Sequence, residues 1–434
     1  VHELLLSDYD IGLKSATALR GAQPTRPYLS ATLPVAALAA GSVAALCSAV
    51  DRYRTARELE SAPWTLDLAR IAASFSGDKM LRIDGAPVNG FAELSGFFPT
   101  SDGWVRTHAN YPHHRARLLA TLDLPRNASR DDLSAELARR EGAAVEHEVT
   151  SAGGLAVRVR TEQDWAASEP GRRAASGPVV SRTMRPDFRD PYGPPQATSR
   201  TPLAGIRVLD LTRVIAGPVA TRALALLGAT VLRVDSPHLP EIAWQHIENG
   251  QGKRTTLLDL GEPNDRERFD ALMSGVDVVV TGYRPGALDI RLAPGVVHGR
   301  VSAWGERGPW AHRRGFDSLV QAASGISLIE GAPGALPAQA LDHASGYLLA
   351  AGVVDALAAQ LADGIGRDAT VSLARTAAWL LAAPGRIEDP PAAVLPDEQT
   401  VSTHGTITAA RPALADYDDY PFPAHDWGSD DARW

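Results

Sequence analysis

Short apolar runs alternate with amphipathic stretches through the second half of the chain. GIRVLDL (205–211), ATVLRVD (229–235), DVVVTGY (277–283) and VVHGRVSAWG (296–305) are apolar runs bounded by turn residues. Runs of this kind mark strands buried on both faces. Between them, PVATRALALLGA (218–229) and RERFDALMSGV (266–276) repeat apolar residues at helical spacing. Strand and helix alternating at short spacing predict an α/β, Rossmann-like domain, a parallel sheet with helices on both faces. Such sheets bind ligands in the crevice at the carboxyl ends of their strands.

The first half reads differently. Residues 35–58 predict one Ala-rich helix with a charged end. Residues 72–108 show strand-like pieces, SFSGDKMLRIDG and GFFPTSDGWVRTHA, with Gly and Asp at the turns. Helical patterns follow at 112–122 and 130–141, then a strand candidate at 154–160. The stretch 166–201 is rich in Pro, Gly, Ser and Arg and predicts an extended surface linker. Four regions result: a helical segment at 1–60, a smaller α+β domain at 61–165, the linker, and a large domain at 202–434.

The length of 434 residues suits two to three domains. A net charge of −8 argues against nucleic acid or a membrane surface as partner. An anionic ligand then needs a local basic patch. Cys47 is the only cysteine, so neither a disulfide framework nor a cysteine-rich metal site is available. His108, His113 and His114 cluster in RTHANYPHH without metal-ligand spacing, and read as surface or core histidines with no metal expected. The apolar runs are short and interrupted, so no membrane span and a cytoplasmic location are expected.

Familiar nucleotide and hydrolase signatures fail. The turn after GIRVLDL carries one glycine, NGQGKRT lacks the first P-loop glycine, and ASGIS lacks the second glycine of a nucleophile elbow. What remains are loops after strands: Arg213 to Pro218, Gly252-Lys253-Arg254, Tyr283 to Gly286, and Arg314 to Asp317. Together they bring cations and close-approach glycines to one rim, as an anionic ligand with a flat ring requires. Asp342 begins the helical pattern ALDHASGYLLAAGVVDAL (340–357). A carboxylate there suits an N-cap, which the helix dipole keeps ionised, and also suits a nucleophile.

Five ordered blocks resemble the family III CoA-transferases, the group of formyl-CoA and carnitine CoA-transferases and alpha-methylacyl-CoA racemase. They are residues 202–235, NGQGKRTTLLDL (249–260), DVVVTGYRPGAL (277–288), RRGFDSLVQAASGI (313–326) and residues 340–357. A more dilute likeness covers 91–122, which is similar to the family's smaller domain. The resemblance implies that Asp342 is the catalytic aspartate. It implies that CoA is held by Arg213, Val214, Ile215 and Ala216, by Lys253 or Arg254, by the loop of Tyr283 and by Arg314. It also implies acyl-CoA and a carboxylic acid as partners, and a homodimer. Transfer would run through an aspartyl anhydride and an aspartyl-CoA thioester, with oxyanion donors at the N–H groups of Ala344 and Ser345.

Three departures stand out. The smaller-domain segment precedes the large domain. Residues 31–50 look like an acid-free echo of 335–354, with Ala37 or Ala39 opposite Asp342. The family's glycine-run loop is not found. The alternatives are an acyl-CoA racemase and a CoA-binding protein without catalysis. Racemisation needs an acid/base pair, and Phe316 stands where the racemase branch has histidine.

Overall fold

The computed structural model describes residues 26–61, 64–191 and 193–434. The first 25 residues of the predicted 1–60 segment lie outside the described residues. The main sheet has seven strands: Ser181–Phe188 (β1), Arg207–Leu211 (β2), Thr230–Asp235 (β3), Arg254–Leu257 (β4), Val278–Thr281 (β5), Val297–Ser302 (β6) and Ile365–Ser372 (β7). Their order is β1-β7-β6-β5-β2-β3-β4. β2 to β7 run parallel, and β1 joins β7 antiparallel at the edge.

Alternate residues of each strand feed different cores. Val208 and Val280 enter one cluster, while Leu209, Leu211 and Val279 enter the other. Burial on both faces explains why these strands read as near-continuous apolar runs.

The predicted linker is corrected here. Residues 162–174 form two short helices, and β1 is a strand of the main sheet. Its sequence SRTMRPDF hides this, because an edge strand tolerates Pro186 and exposed charges.

Four helices position the site: Val35–Ala56 (α1), Ala216–Leu226 (α2), Asp317–Ser324 (α3) and Ala340–Asp363 (α4). α4 is apolar on nearly every side and ends at Gly364, whose φ of 69° supplies the left-handed cap. α1, the acid-free echo, packs lengthwise against it. Ala37 and Ala39 are buried there. The pair is pinned by Arg52, whose Nε donates to Asp355 at 2.7 Å. α1 and α4 are each long and apolar enough to cross a membrane. However, 78% and 83% of their most apolar windows are buried in the protein itself.

The smaller unit holds a three-stranded antiparallel sheet, Gly96–Thr100, Gly103–Thr107 and Ala156–Arg158, with helices including Pro112–Thr121 and Gly142–Ser151. It has a core of its own. The strand-like reading of SFSGDKMLRIDG (74–85) is corrected. Leu68–Phe75 is a helix, capped by Asp67, whose carboxylate accepts from the N–H of Ala69 at 2.8 Å. Only Arg82–Ile83 is strand, in a sheet with Ala86–Pro87, Val401–His404 and Ile407–Ala410.

Candidate active site

A cavity of about 470 Å³ opens at the carboxyl ends of the parallel strands. Leu211 at the end of β2, Tyr283 beyond β5, Ser302 at the end of β6 and Leu373 beyond β7 all line it. The opposite wall comes from the smaller unit, through Tyr111, His113, His114 and Arg117. Arg117, Arg213, Arg284, Arg313 and Arg314 also line it, so an acidic chain carries a local cluster of five guanidinium groups. Desolvation, together with the nearby Arg284 and Arg117 charges, lowers the pKa of Arg314. An anion there relieves that repulsion.

Six of the expected residues share this cavity: Arg213, Val214, Ala216, Tyr283, Arg314 and Asp342. Three do not. Ile215 lines a smaller cavity next to it. Arg254 is tied to the chain's end, donating to the carbonyls of Arg433 and Asp431 at 2.8 and 2.9 Å.

Lys253 is 1% exposed and donates to Asp210 Oδ2 at 2.9 Å and Thr221 Oγ1 at 3.0 Å. Burial outweighs the attraction of Asp210 and holds the ammonium at about 8. Burial also opposes ionisation of Asp210, but the Lys253 and Arg233 charges outweigh it there. Lys253 is thus a core cation under the loop of residues 213–217, not a lining residue.

That loop is strained. Val214 has φ +70°, unfavourable for a β-branched residue by roughly 1–3 kcal/mol. Glu241 holds it, accepting from Val214 N–H at 3.0 Å, from Arg233 at 3.0 Å and from the Tyr111 hydroxyl. Asn249 Nδ2 donates to the Val214 carbonyl at 3.0 Å. Glu241 therefore ties the loop to both units. Gly346 of α4 lets α2 approach closely, since a Cβ there would lie 2.6 Å from the Ala216 carbonyl oxygen. This contact sets the start of α2 beside Asp342.

Asp342 is the third residue of α4 and 6% exposed. It does not cap the helix; Asp317 does so from α3. Asp317 Oδ2 accepts from Asp342 N–H at 3.0 Å, and its carboxylate also takes up the N–H of Leu341 and the Gln321 amide. His343 N–H reaches the Gln339 carbonyl at 3.1 Å. Ala344 and Ser345 follow in the regular ladder of α4, past the orphan first turn, so they are not free oxyanion donors. Ala216 and Gly217, the first residues of α2, line the Asp342 cavity, and first-turn N–H groups have no partner within their own helix.

The expected effect of the helix dipole is reversed. Burial, then the charge of Asp317, pushes the Asp342 pKa well above the ordinary carboxylate range. Burial raises Asp317 to about 6 against the pull of its hydrogen bonds.

Of the two expected places for the histidine cluster, surface or core, His108 and His114 take the core. His108 is buried and stacks on Phe316 with ring centroids 3.7 Å apart. Burial lowers His108 and His114 to about 3. Among the described residues no group of His, Cys, Asp and Glu has the arrangement of a metal site.

Residues 203–388 match the sequence model of CoA-transferase family III. That match covers less than half of the chain and marks what those residues are similar to. The matched segment contains Asp317, Asp342 and the whole arginine rim except Arg117. An acetyl-coenzyme A transferase of Hypoxylon pulicicidum is 31% identical over 256 residues, 53% of this chain and 43% of the relative. A probable fatty acyl-CoA transferase of Mycobacterium tuberculosis is 32% identical over 197 residues, 39% of this chain and 50% of the relative. The chain thus spans half or less of the length of these relatives. A crystal structure of a hypothetical protein from Mycobacterium tuberculosis is 32% identical, covering 42% of this chain and 57% of that one, with a TM-score of 0.38.

Proposed function

We propose that the protein moves CoA from an acyl-CoA donor to a carboxylic acid, with Asp342 as nucleophile. One observation carries the reading: a buried carboxylate that has no cation partner among the described residues lines a cavity whose other walls hold five arginines. The arginines match the phosphates of CoA, and the apolar floor of Val301, Ala303, Trp304 and Leu373 receives the acyl end.

Ionised Asp342 attacks the thioester carbonyl, the C–S bond breaks, and CoA thiolate leaves a mixed anhydride. The thiolate then attacks Asp342 Cγ, releasing the donor acid and leaving an aspartyl-CoA thioester. The acceptor carboxylate attacks that carbonyl and expels the thiolate. Thiolate attack on the acceptor's acyl carbon finally yields the new thioester and frees Asp342. The N–H groups of Ala216 and Gly217 stabilise the oxyanions. The raised pKa makes Asp342 a stronger nucleophile once ionised, at the cost of needing a proton removed first.

Incubation with a panel of acyl-CoAs and hydroxylamine tests this: mass spectrometry finds a hydroxamate on Asp342, and Asp342→Asn lowers transfer by on the order of 10³. Full transfer by Asp342→Asn refutes it.

A second reading gains from one contact. Phe316 carries no proton, yet the His108 ring stacked on it lines the same small cavity as Asp342. The pair offers an acid and a base for exchange at the alpha carbon. Deuterium wash-in without an acceptor acid distinguishes it from transfer.

A further inference from the structure

A second cavity of about 20 Å³ adjoins the first, and Val214, Phe316 and Asp342 line both. Its size suits one water molecule. Among the described residues, three buried polar atoms on its lining residues have no hydrogen-bond partner: His108 Nδ1, His343 Nδ1 and Gln245 Oε1. They come from three separate segments: the smaller unit, α4 and the Ala243–Asn249 helix. A buried polar atom left unpaired costs about 1–3 kcal/mol, and three such atoms on residues lining one small chamber match in number the two to four partners a held water needs. The transfer reaction as derived above uses none of the three.

We propose that this chamber seats a water molecule that attacks Cγ of acylated Asp342, making the protein an acyl-CoA hydrolase when no acceptor acid is bound. The inference rests on Asp342 being the nucleophile. Once the donor acid has left, Asp342 Cγ is bonded to the sulfur of CoA. The water oxygen forms a bond to Cγ, the C–S bond breaks, one water proton passes to the thiolate, and Asp342 is left as a carboxylic acid. The net reaction converts acyl-CoA and water to acid and CoA thiol. An acceptor acid in the large cavity competes by attacking the same carbon. His343, which lines the chamber, has its ring stacked on Phe75 with centroids 5.2 Å apart.

The test uses the full chain with acetyl-, succinyl- and octanoyl-CoA in water enriched in oxygen-18, without acceptor acid. CoA thiol is expected to appear, and the Asp342 peptide to gain heavy oxygen. Gln245→Leu lowers acceptor-free thiol release about tenfold, the effect of one lost hydrogen bond, and leaves transfer to an added acid intact. His343→Phe, which preserves the stacking, serves if Gln245→Leu misfolds. Heavy oxygen confined to the released acid, or wild-type hydrolysis in the folded variant, overturns the proposal. A hydroxamate trapped on Asp342 without heavy oxygen in that residue overturns the water's role alone. Absence of any hydroxamate overturns the nucleophile reading with it.

Discussion

Replacing Lys253 with methionine separates two roles for one lysine. The resemblance implies a CoA contact; the structure shows a buried ion pair with Asp210. Lys253→Met keeps the volume and removes the charge. Asp210, fully buried, then faces its remaining partners: Thr212 N–H at 2.9 Å, Thr221 Oγ1 at 2.5 Å and the charge of Arg233. Breaking one side of a buried pair costs about 3–5 kcal/mol. The hydroxyls and Arg233 partly compensate, so the loss belongs at the low end, about 3 kcal/mol. That is a large share of a typical stability of about 5–15 kcal/mol. Adding Asp210→Asn removes the stranded charge and is expected to restore most of the loss. Urea unfolding midpoints measure stability, and initial rates measure KM for acyl-CoA where both proteins are folded. KM is expected to change less than about threefold, since Lys253 does not line the cavity. Unchanged stability with a KM raised tenfold or more would refute the structural role and restore Lys253 as a ligand contact.

Asp317→Asn removes the charge that helps raise Asp342, so the acid limb of kcat/KM moves to lower pH; an unmoved limb in a pH profile contradicts the coupling. The same change leaves one N–H of α4 facing an amide NH₂ and costs about 1–3 kcal/mol by denaturant titration. Gly346→Ala forces a methyl against the Ala216 carbonyl, lowering stability by about 1–3 kcal/mol and raising KM, because Ala216 lines the cavity. A midpoint equal to wild type argues against that contact. Acid sensitivity follows from buried neutral imidazoles: His108, His114 and His343 sit near 3 and His298 near 4. Each folded value lies below the unfolded one, so the unfolded chain binds more protons and stability falls as pH drops from about 6.5. His113 and His246 are lowered too, while the raised carboxyls of Asp78, Glu306, Asp317, Glu330 and Asp342 act oppositely. The six imidazoles outnumber the five carboxyls, and melting temperatures that rise as pH falls from 6.5 to 4.5 contradict this balance.

The parallel strands were legible because burial on both faces writes itself into the chain as VLDL, VLRV and VVVT. β4 is harder to see, since RTTL is short and half polar, and β1 is masked by arginine and proline. Asp342 was visible as an acid opening a helix. Its exchange of roles with Asp317 was not, because the cap comes from a residue 25 positions away. Lys253 misled for the same reason: its partner lies 43 positions upstream. Glu241 carries no motif, and only the fold shows it gathering Val214, Arg233 and Tyr111.

The wall of the large cavity crosses from the smaller unit to the parallel sheet, two bodies with separate cores. A molecule held by Arg117 on one side and by Arg284 and Arg314 on the other therefore acts as a rivet across that seam. Its binding energy is added to the work of parting the two bodies, in proportion to the logarithm of its concentration. Occupancy of the cavity and resistance of the seam to proteolytic cutting become two readings of one equilibrium.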